Sequence, residues 1–443
     1  VSLKQKFLFL SILLTTQIAC SGVEEPLLGG TDSPLEEDTP VVHTEIAGDK
    51  RLADSRPWRV PVFSGQENTL GYVPGVSFTV PKGMESQVAF WVEIYTKYST
   101  QEGVIHDAEN VDMIYEVVDL KGIYSDRLKQ KKVDNVKKEI MASLKKLETL
   151  KDGSGLVGRE KKIWEYFAKI NEPHKFKEAA QKNRIRFQLG QKDRMQEAIF
   201  FSGRYLEDME KIFRDANLPI ELTRIAFVES SFNIMARSKV GASGIWQIMP
   251  YTARPYKMIS AAVDNRNHPL EATKLAAKLL TSNYRMLESW PLAVTGYNHG
   301  PAGVRKMTKS YKTRDLAELV DNVRSRKSFG FASRNFYATF LAALEVERHA
   351  SKYFGKVNWS KPLDAQDLRI PVSVGYKEIL TWFDGDDEKA QVFNPHLTHL
   401  ARKGRAIPPK TIIAVPKAKY NVVLVELSKK DRKIASTDKK SGR

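Results

Sequence analysis

Between residues 125 and 192, Leu, Ile, Val and Phe recur every three or four positions among lysines, as in VKKEIMASLKKLETL and KKIWEYFAKI. That spacing predicts amphipathic helices on either side of the break KDGSGLVG. The segment Arg194 to Pro219, RMQEAIFFSGRYLEDMEKIFRDANLP, continues the helical period, with Asn217 as a stop and Pro219 at the first position of the next helix. Glu221 then falls in a first helical turn, where a carboxylate complements the helix dipole, so its role is structural. In the following helix Leu222, Ile225 and Ala226 share one face with Glu229. An acidic side chain therefore sits on the stripe that faces the core.

The flanking segments read differently. From Pro57 to about Leu120, short runs rich in Val, Ile, Phe and Tyr (PWRVPVF, GVSFTV, SQVAFWVEIYTKY, VDMIYEVVDL) are separated by Gly and Pro. They predict strands with one amphipathic helix, and SQVAFWVEIYTKY fits both periods. The adjacent His106 and Asp107 read as a structural pair in a turn. Arg334 to Arg348 predicts a closing helix. Beyond Gly355, LRIPVSV, KTIIAVP and YNVVLVEL predict strands, YKEILTWF a helix, and NPHLTHLARKG a helix or turn. The last stretch, KKDRKIASTDKKSGR, is basic and expected to be disordered. These patterns define an α+β chain that is mainly α-helical. The expected divisions are 57–122 (small, mixed β/α), 123–194 (basic helices), 195–354 (the main helical domain), 355–428 (mixed α/β) and 429–443 (tail).

Composition adds an address and a charge. Lys4 and Lys6 precede the apolar run Phe7 to Leu14, followed by TTQIAC and a polar stretch. This is the pattern of a secretion signal over 1–20, too short to span a bilayer. Cys20 is the single cysteine, which rules out an intramolecular disulfide. Its position resembles a lipoprotein box, with Cys20 as the lipidated residue; cleavage after Ala19, leaving a soluble periplasmic protein, is the alternative. Residues 21–56 are acidic and rich in Gly, Pro, Ser and Thr, as a flexible tether would be. The net charge of +17 favours an anionic partner. No zinc-type cluster or phosphate-binding glycine loop is present in the sequence, so neither nucleic acid nor a metal is expected.

The candidate chemistry centres on Glu229. Facing the core, it loses hydration, and desolvation raises a carboxyl pKa toward the protonated state that a general acid needs. The sequence ES-SFN, then SKVGASGIWQIMP and later GYNHGPAGV, resembles the lytic murein transglycosylase D family, whose catalytic domain is of the soluble-lytic-transglycosylase type. The likeness runs over roughly residues 195–350. It implies a lysozyme-like fold for the helical domain and a peptidoglycan lytic transglycosylase activity without cofactor or metal. The same resemblance implies substrate-binding roles for Ser238, Gly241, Ser243, Gly244, Gln247, Met249, Tyr297 and Asn298 around the catalytic Glu229, and a turn at Gly241–Gly244 that lets backbone approach the sugar. It places the protein in the bacterial cell envelope, on the periplasmic face of the outer membrane through a lipid anchor, as a monomer acting on glycan strands.

Ordinary glycosidases use two carboxylates. Here no Asp or Glu follows Glu229 until Asp264. The family chemistry needs only one: the substrate's acetamido group and its C6 hydroxyl complete the reaction and leave a 1,6-anhydro ring. Three positions depart from the family pattern. Ile234 replaces a common Pro, His299 replaces a usual Ala, and Ala332-Ser333 precede Arg334 where related enzymes carry Glu-Thr. A lysozyme-type hydrolase on the same fold and a non-catalytic peptidoglycan-binding lipoprotein are the alternative readings.

Overall fold

The computed structural model describes residues 78–323 and 329–441. The expected signal, Cys20, the acidic tether and PWRVPVF lie outside the described residues. The described chain is mainly helical, with five short strands.

The ambiguous run SQVAFWVEIYTKY is a helix, α1 (Glu85–Thr96). Its buried residues Phe90, Trp91, Ile94 and Tyr95 lie on one side of a 3.6-residue period, whereas strict alternation would expose half of them. A three-stranded antiparallel sheet follows, ordered β2-β1-β3, with β1 at Glu102–Asp107, β2 at Ile114–Asp119 and β3 at Ile185–Leu189. Gly103 of β1 stands opposite Val118 on one side and Leu189 on the other. The predicted basic helices α2 (Asp126–Leu147), α3 (Gly158–Phe167) and α4 (Lys175–Ala179) lie between β2 and β3.

The strand β3 was not expected inside the Lys-rich stretch; five residues are too few to reveal alternation there. It also removes the boundary expected at 122/123. Ile105, Tyr115 and Leu120 share one core with Ile140, Leu144 and Phe167, so the two segments fold as one unit. His106 and Asp107 are structural, on a strand rather than in a turn. Asp107 takes three charged bonds from Arg184 (3.2, 3.0 and 2.8 Å), one from the Tyr115 hydroxyl, and two from the backbone of the following turn.

The main helical body follows: α5 (Lys192–Ser202), α6 (Leu206–Asp215), α7 (Ile225–Ser230), α8 (Pro250–Ala253), α9 (Pro269–Leu287), α10 (Trp290–His299), α11 (Pro301–Tyr311), α12 (Leu316–Asn322), α13 (Phe331–Arg348) and α14 (Ala350–Phe354). The helix expected over 194–219 is broken after Ser202. A Cβ at Gly203 would lie 2.4 Å from the Ser360 carbonyl oxygen, and only Gly lets the returning chain cross there. Asn217 ends α6 in the left-handed region (φ 53°), as a helix stop does. Pro219 caps a 3-10 turn, Ile220–Arg224, rather than opening an α-helix. The upstream α1 belongs to this body. Its Trp91 Nε1 donates to Asn335 Oδ1 of α13 at 3.2 Å, and Phe90, Ile94 and Tyr95 join the body's core with Phe227 and Phe336.

Behind α7, Arg224 is buried between two carboxylates. Its Nη1 reaches Glu210 at 2.6 Å and its Nε reaches Glu347 at 3.0 Å. Three elements, α6, α7 and α13, meet at this one guanidinium.

The C-terminal unit has its own core. It pairs β4 (Ala365–Arg369) with β5 (Ile412–Pro416) in antiparallel fashion and adds α15 (Tyr376–Trp382), α16 (Asp387–Phe393), α17 (His399–Arg402) and α18 (Tyr420–Ser441). The expected strand YNVVLVEL and the expected disordered tail as far as Ser441 are both part of α18. The β-branched run suggests a strand, but Val423 and Leu427 are buried with Tyr420 packed beside them, while Val422 and Val425 are exposed. That i, i+3, i+7 set is one helical face.

Candidate active site

The helix α7 is short and buried on every side. It ends in a reversal at which Ser231 and Phe232 both adopt left-handed φ, 51° and 60°. Non-glycine residues there cost on the order of 1 kcal/mol or more each and persist only where the surroundings hold them. Two contacts do so here. The Phe232 ring packs on Phe227 (centroids 4.8 Å apart), and the Ser230 hydroxyl donates to the Ile245 carbonyl at 3.0 Å. Glu229 is held at this reversal, 5% exposed, and burial pushes its pKa up to about 8. The carboxyl is thus protonated at neutral pH, as general acid catalysis requires.

The loop after the reversal folds back on itself. Ser238 accepts the Ala242 N–H on its hydroxyl (2.9 Å), and the Ser243 hydroxyl donates to Asn267 Oδ1 (2.7 Å). Gly241 and Gly244 have φ of +91° and +77°. Gln247, also left-handed at φ 44°, donates its amide to the Ala236 and Gly244 carbonyls at 3.2 and 2.8 Å. Met249 is half-buried just before α8. From α10, the Tyr297 hydroxyl donates to the Trp246 carbonyl at 2.9 Å. Asn298 Oδ1 accepts from Ser333 of α13 at 2.8 Å, and the same hydroxyl lies 3.2 Å from His299 Nδ1. Ser333 thus ties α13 to the Asn298 side chain of α10. Trp246 is fully buried, stacked on Phe213 and bonded to Thr273: it packs the core.

Three features were missed in the sequence. The first is Arg266, which is buried and pins the loop by donating to the carbonyls of Gly241 (2.7 Å) and Ile248 (3.0 Å). The second is Asp264, which locks that guanidinium with bonds of 2.9 and 2.7 Å. The first carboxylate after Glu229 is thus engaged in bracing the loop. The third is Tyr95 of α1, a phenol that burial, and after it the charge of Glu229, pushes above its ordinary pKa. Nothing in the local sequence of any of them signals the site; only the fold brings them there. Among the described residues no group of three or more His, Cys, Asp or Glu side chains is placed to hold a metal ion.

The loop geometry makes Gly244 irreplaceable. A Cβ there would lie 1.9 Å from the Arg266 carbonyl oxygen, at a φ of +77°. Gly244→Ala should destabilise the protein by about 3 kcal/mol or more, the sum of left-handed strain and a backbone clash. Urea denaturation of the variant beside the parent chain reads this directly, and an unchanged midpoint would contradict the geometry.

Comparison with known proteins places this segment. The Transglycosylase SLT domain family matches residues 210–320. Membrane-bound lytic murein transglycosylase D of Escherichia coli K12 is 36% identical over 100 residues, which is 22% of this chain and 22% of that protein. The same protein of Escherichia coli O6:H1 matches to the same extent. The chain therefore spans about a fifth of the length of the curated relatives it matches. Among solved structures, the 70 kDa soluble lytic transglycosylase SLT70 of Escherichia coli aligns with a TM-score of 0.28 at 23% identity, over 32% of this chain and 24% of that one. The segment that carries Glu229, the pinned loop and the Tyr297-Asn298 pair thus lies within residues 210–320, the part of this chain that is similar to the Transglycosylase SLT domain.

Proposed function

We propose that the chain is a peptidoglycan lytic transglycosylase that cleaves the β-1,4 bond between N-acetylmuramic acid and N-acetylglucosamine without water. The observation that carries this reading is Glu229: a buried carboxyl whose pKa is raised by burial to about 8, within the family segment. As acid, Glu229 gives its proton to the bridging oxygen while the C1–O bond breaks and the acetamido oxygen bonds to C1. As carboxylate, it takes the proton of the same sugar's C6 hydroxyl, and O6 displaces the acetamido oxygen from C1. The acid is regenerated, no water is consumed, and the muramic residue ends as a 1,6-anhydro ring. A group that must be acid first and base second works best with a pKa near the working pH.

The roles proposed for the neighbours follow their placement. Ser238, Gly241, Ser243, Gly244 and Gln247 shape a backbone surface that the sugar approaches, Met249 offers an apolar contact, and Tyr297 and Asn298 line the wall beside the acid. The likeness to membrane-bound relatives supports a site of action in the cell envelope, and the Cys20 motif supports attachment there through lipid. Among the described residues no helix is long and apolar enough to cross a membrane.

The test is mass spectrometry of fragments released from purified sacculi. Products one water lighter than reducing muropeptides are expected. Reducing ends instead would make the protein a hydrolase on this fold and would require a second carboxylate.

A further inference from the structure

Residues 261–268 are bonded both to the loop that follows Glu229 and to the C-terminal unit. Toward the loop, Arg266 holds the Gly241 and Ile248 carbonyls, Asp264 holds Arg266, and Asn267 accepts the Ser243 hydroxyl. The loop is in turn tied to the helix of the acid, because the Ser230 hydroxyl donates to the Ile245 carbonyl at 3.0 Å. Toward the C-terminal unit, the Asp264 N–H donates to the His396 carbonyl at 2.8 Å and the Thr398 N–H donates to the Ala262 carbonyl at 2.9 Å. Val263 and Leu397 therefore face each other as a non-hydrogen-bonded antiparallel pair. The Thr398 hydroxyl adds a bond to the Ala261 carbonyl at 2.6 Å. Ala262 and Val263 are buried in the core of the C-terminal unit rather than in that of the helical body.

The chain around Thr398 is fixed on its far side as well. The Asn394 amide donates to the Ala414 carbonyl of β5 at 3.0 Å and accepts the Ala414 N–H at 2.8 Å. A carbonyl only accepts, so His396 Nε2 carries the ring proton and donates it to the Ile412 carbonyl, also of β5, at 2.8 Å. The same ring packs on His268, the residue that caps α9, with centroids 4.8 Å apart. An unbroken series of bonds thus runs from β5 through residues 394–398 and 261–268 to the loop. We propose that the C-terminal unit braces the catalytic loop, with Thr398 as the positioning residue: through residues 261–268 it fixes where the loop holds a sugar relative to Glu229. The inference rests on the sugar-contact role proposed above for that loop. Most groups in the series are backbone or buried, so a displacement at one end has little room to be absorbed before the other. Misplacing a bound substrate by about 1 Å can cost up to about a hundredfold in rate.

Thr398 has a φ of −69°, which proline also imposes, and Leu397 before it is in a β-bridge, the extended region that precedes proline. Thr398→Pro therefore fits the backbone while deleting both donors to residues 261–268. Thr398→Ser keeps both. The experiment uses the full chain and reads two quantities: kcat and KM on soluble glycan strands, and hydrogen exchange of the peptide spanning 236–248. Amides inside that loop, such as the Gly244 N–H bonded to the Ala236 carbonyl at 2.9 Å, report its opening. In Thr398→Pro the loop should exchange about tenfold faster, and kcat should fall about tenfold with KM changed by less than about twofold, since a misplaced sugar still binds. Thr398→Ser should match wild type in both. A lower melting temperature with unchanged kcat and loop exchange would make the C-terminal unit a source of stability alone and overturn the proposal, as would faster exchange at full kcat. If Thr398→Pro does not fold, Thr398→Val deletes the hydroxyl donor only, and kcat should fall about threefold; no fall, or an equal fall in Thr398→Ser, overturns the proposal. Absence of cleavage by the wild type would remove the proposed function instead, and unchanged loop exchange in the variants would then overturn the brace on its own.

Discussion

Replacing Glu229 by Gln should lower cleavage of sacculi by about a thousandfold or more, within the range that a positioned acid–base group contributes, while binding to sacculi persists. Gln matches the size and the neutral state of the protonated carboxyl, so the fold at pH 5 should be unchanged. A second signature separates the acid from any other buried residue. The folded pKa of about 8 lies well above the usual carboxyl value. The folded state therefore holds a proton that the unfolded chain releases. Stability from this group is complete below the unfolded pKa of about 4.3 and is lost as pH rises through 8, at roughly 1.4 kcal/mol per unit across that window. Glu229→Gln removes that slope. Urea midpoints of parent and variant should agree at pH 5 and diverge by pH 8, the variant being the more stable. Full cleavage by the Gln variant, or parallel midpoints across the range, would refute the buried-acid account.

Arg224 is the second position of large effect, and its effect is on folding. It is 4% exposed, and Glu210 and Glu347 are 2% and 4% exposed. Arg224→Ala would leave two buried carboxylates without their common cation. Breaking a buried pair in this way costs about 3–5 kcal/mol, because the remaining charge is uncompensated. That is a large part of the stability of an ordinary domain. The variant should be mostly insoluble or melt far below the parent in calorimetry. Charge rather than volume is the cause, so a triple replacement, Arg224→Met with Glu210→Gln and Glu347→Gln, should recover a substantial share of the loss. Failure of the triple variant to exceed Arg224→Ala would assign the effect to packing.

Much of the site could be read from residues close together in the chain. Glu229 stands at the end of an apolar helical pattern, and Gly241 and Gly244 of the following loop occupy the left-handed turns that Gly favours. Features that depend on distant segments could not be read this way. Arg266 looks like any surface Arg until the loop closes over it. Tyr95 sits in a run whose apolar spacing fits two periods. The same limit explains two errors in element type. Val422, Val423 and Val425 have strand propensity, but the apolar surface of the C-terminal core accepts only the helical face of α18. Ile185–Leu189 becomes a strand because β1 has a free edge beside it. Propensity and period are local quantities, and tertiary pairing overrides them.

The bond between Trp91 and Asn335 joins residues 244 positions apart. The body around Glu229 is therefore closed by its first and last large helices, with the sheet unit threaded between them. A chain leaving the ribosome cannot make this contact until α13 has emerged, and closing so long a loop costs entropy before packing offsets it. The part of the site that α13 braces, where Ser333 bonds to Asn298, is consequently among the latest to form. A site assembled in this order stays incomplete for as long as the synthesis of its chain is incomplete.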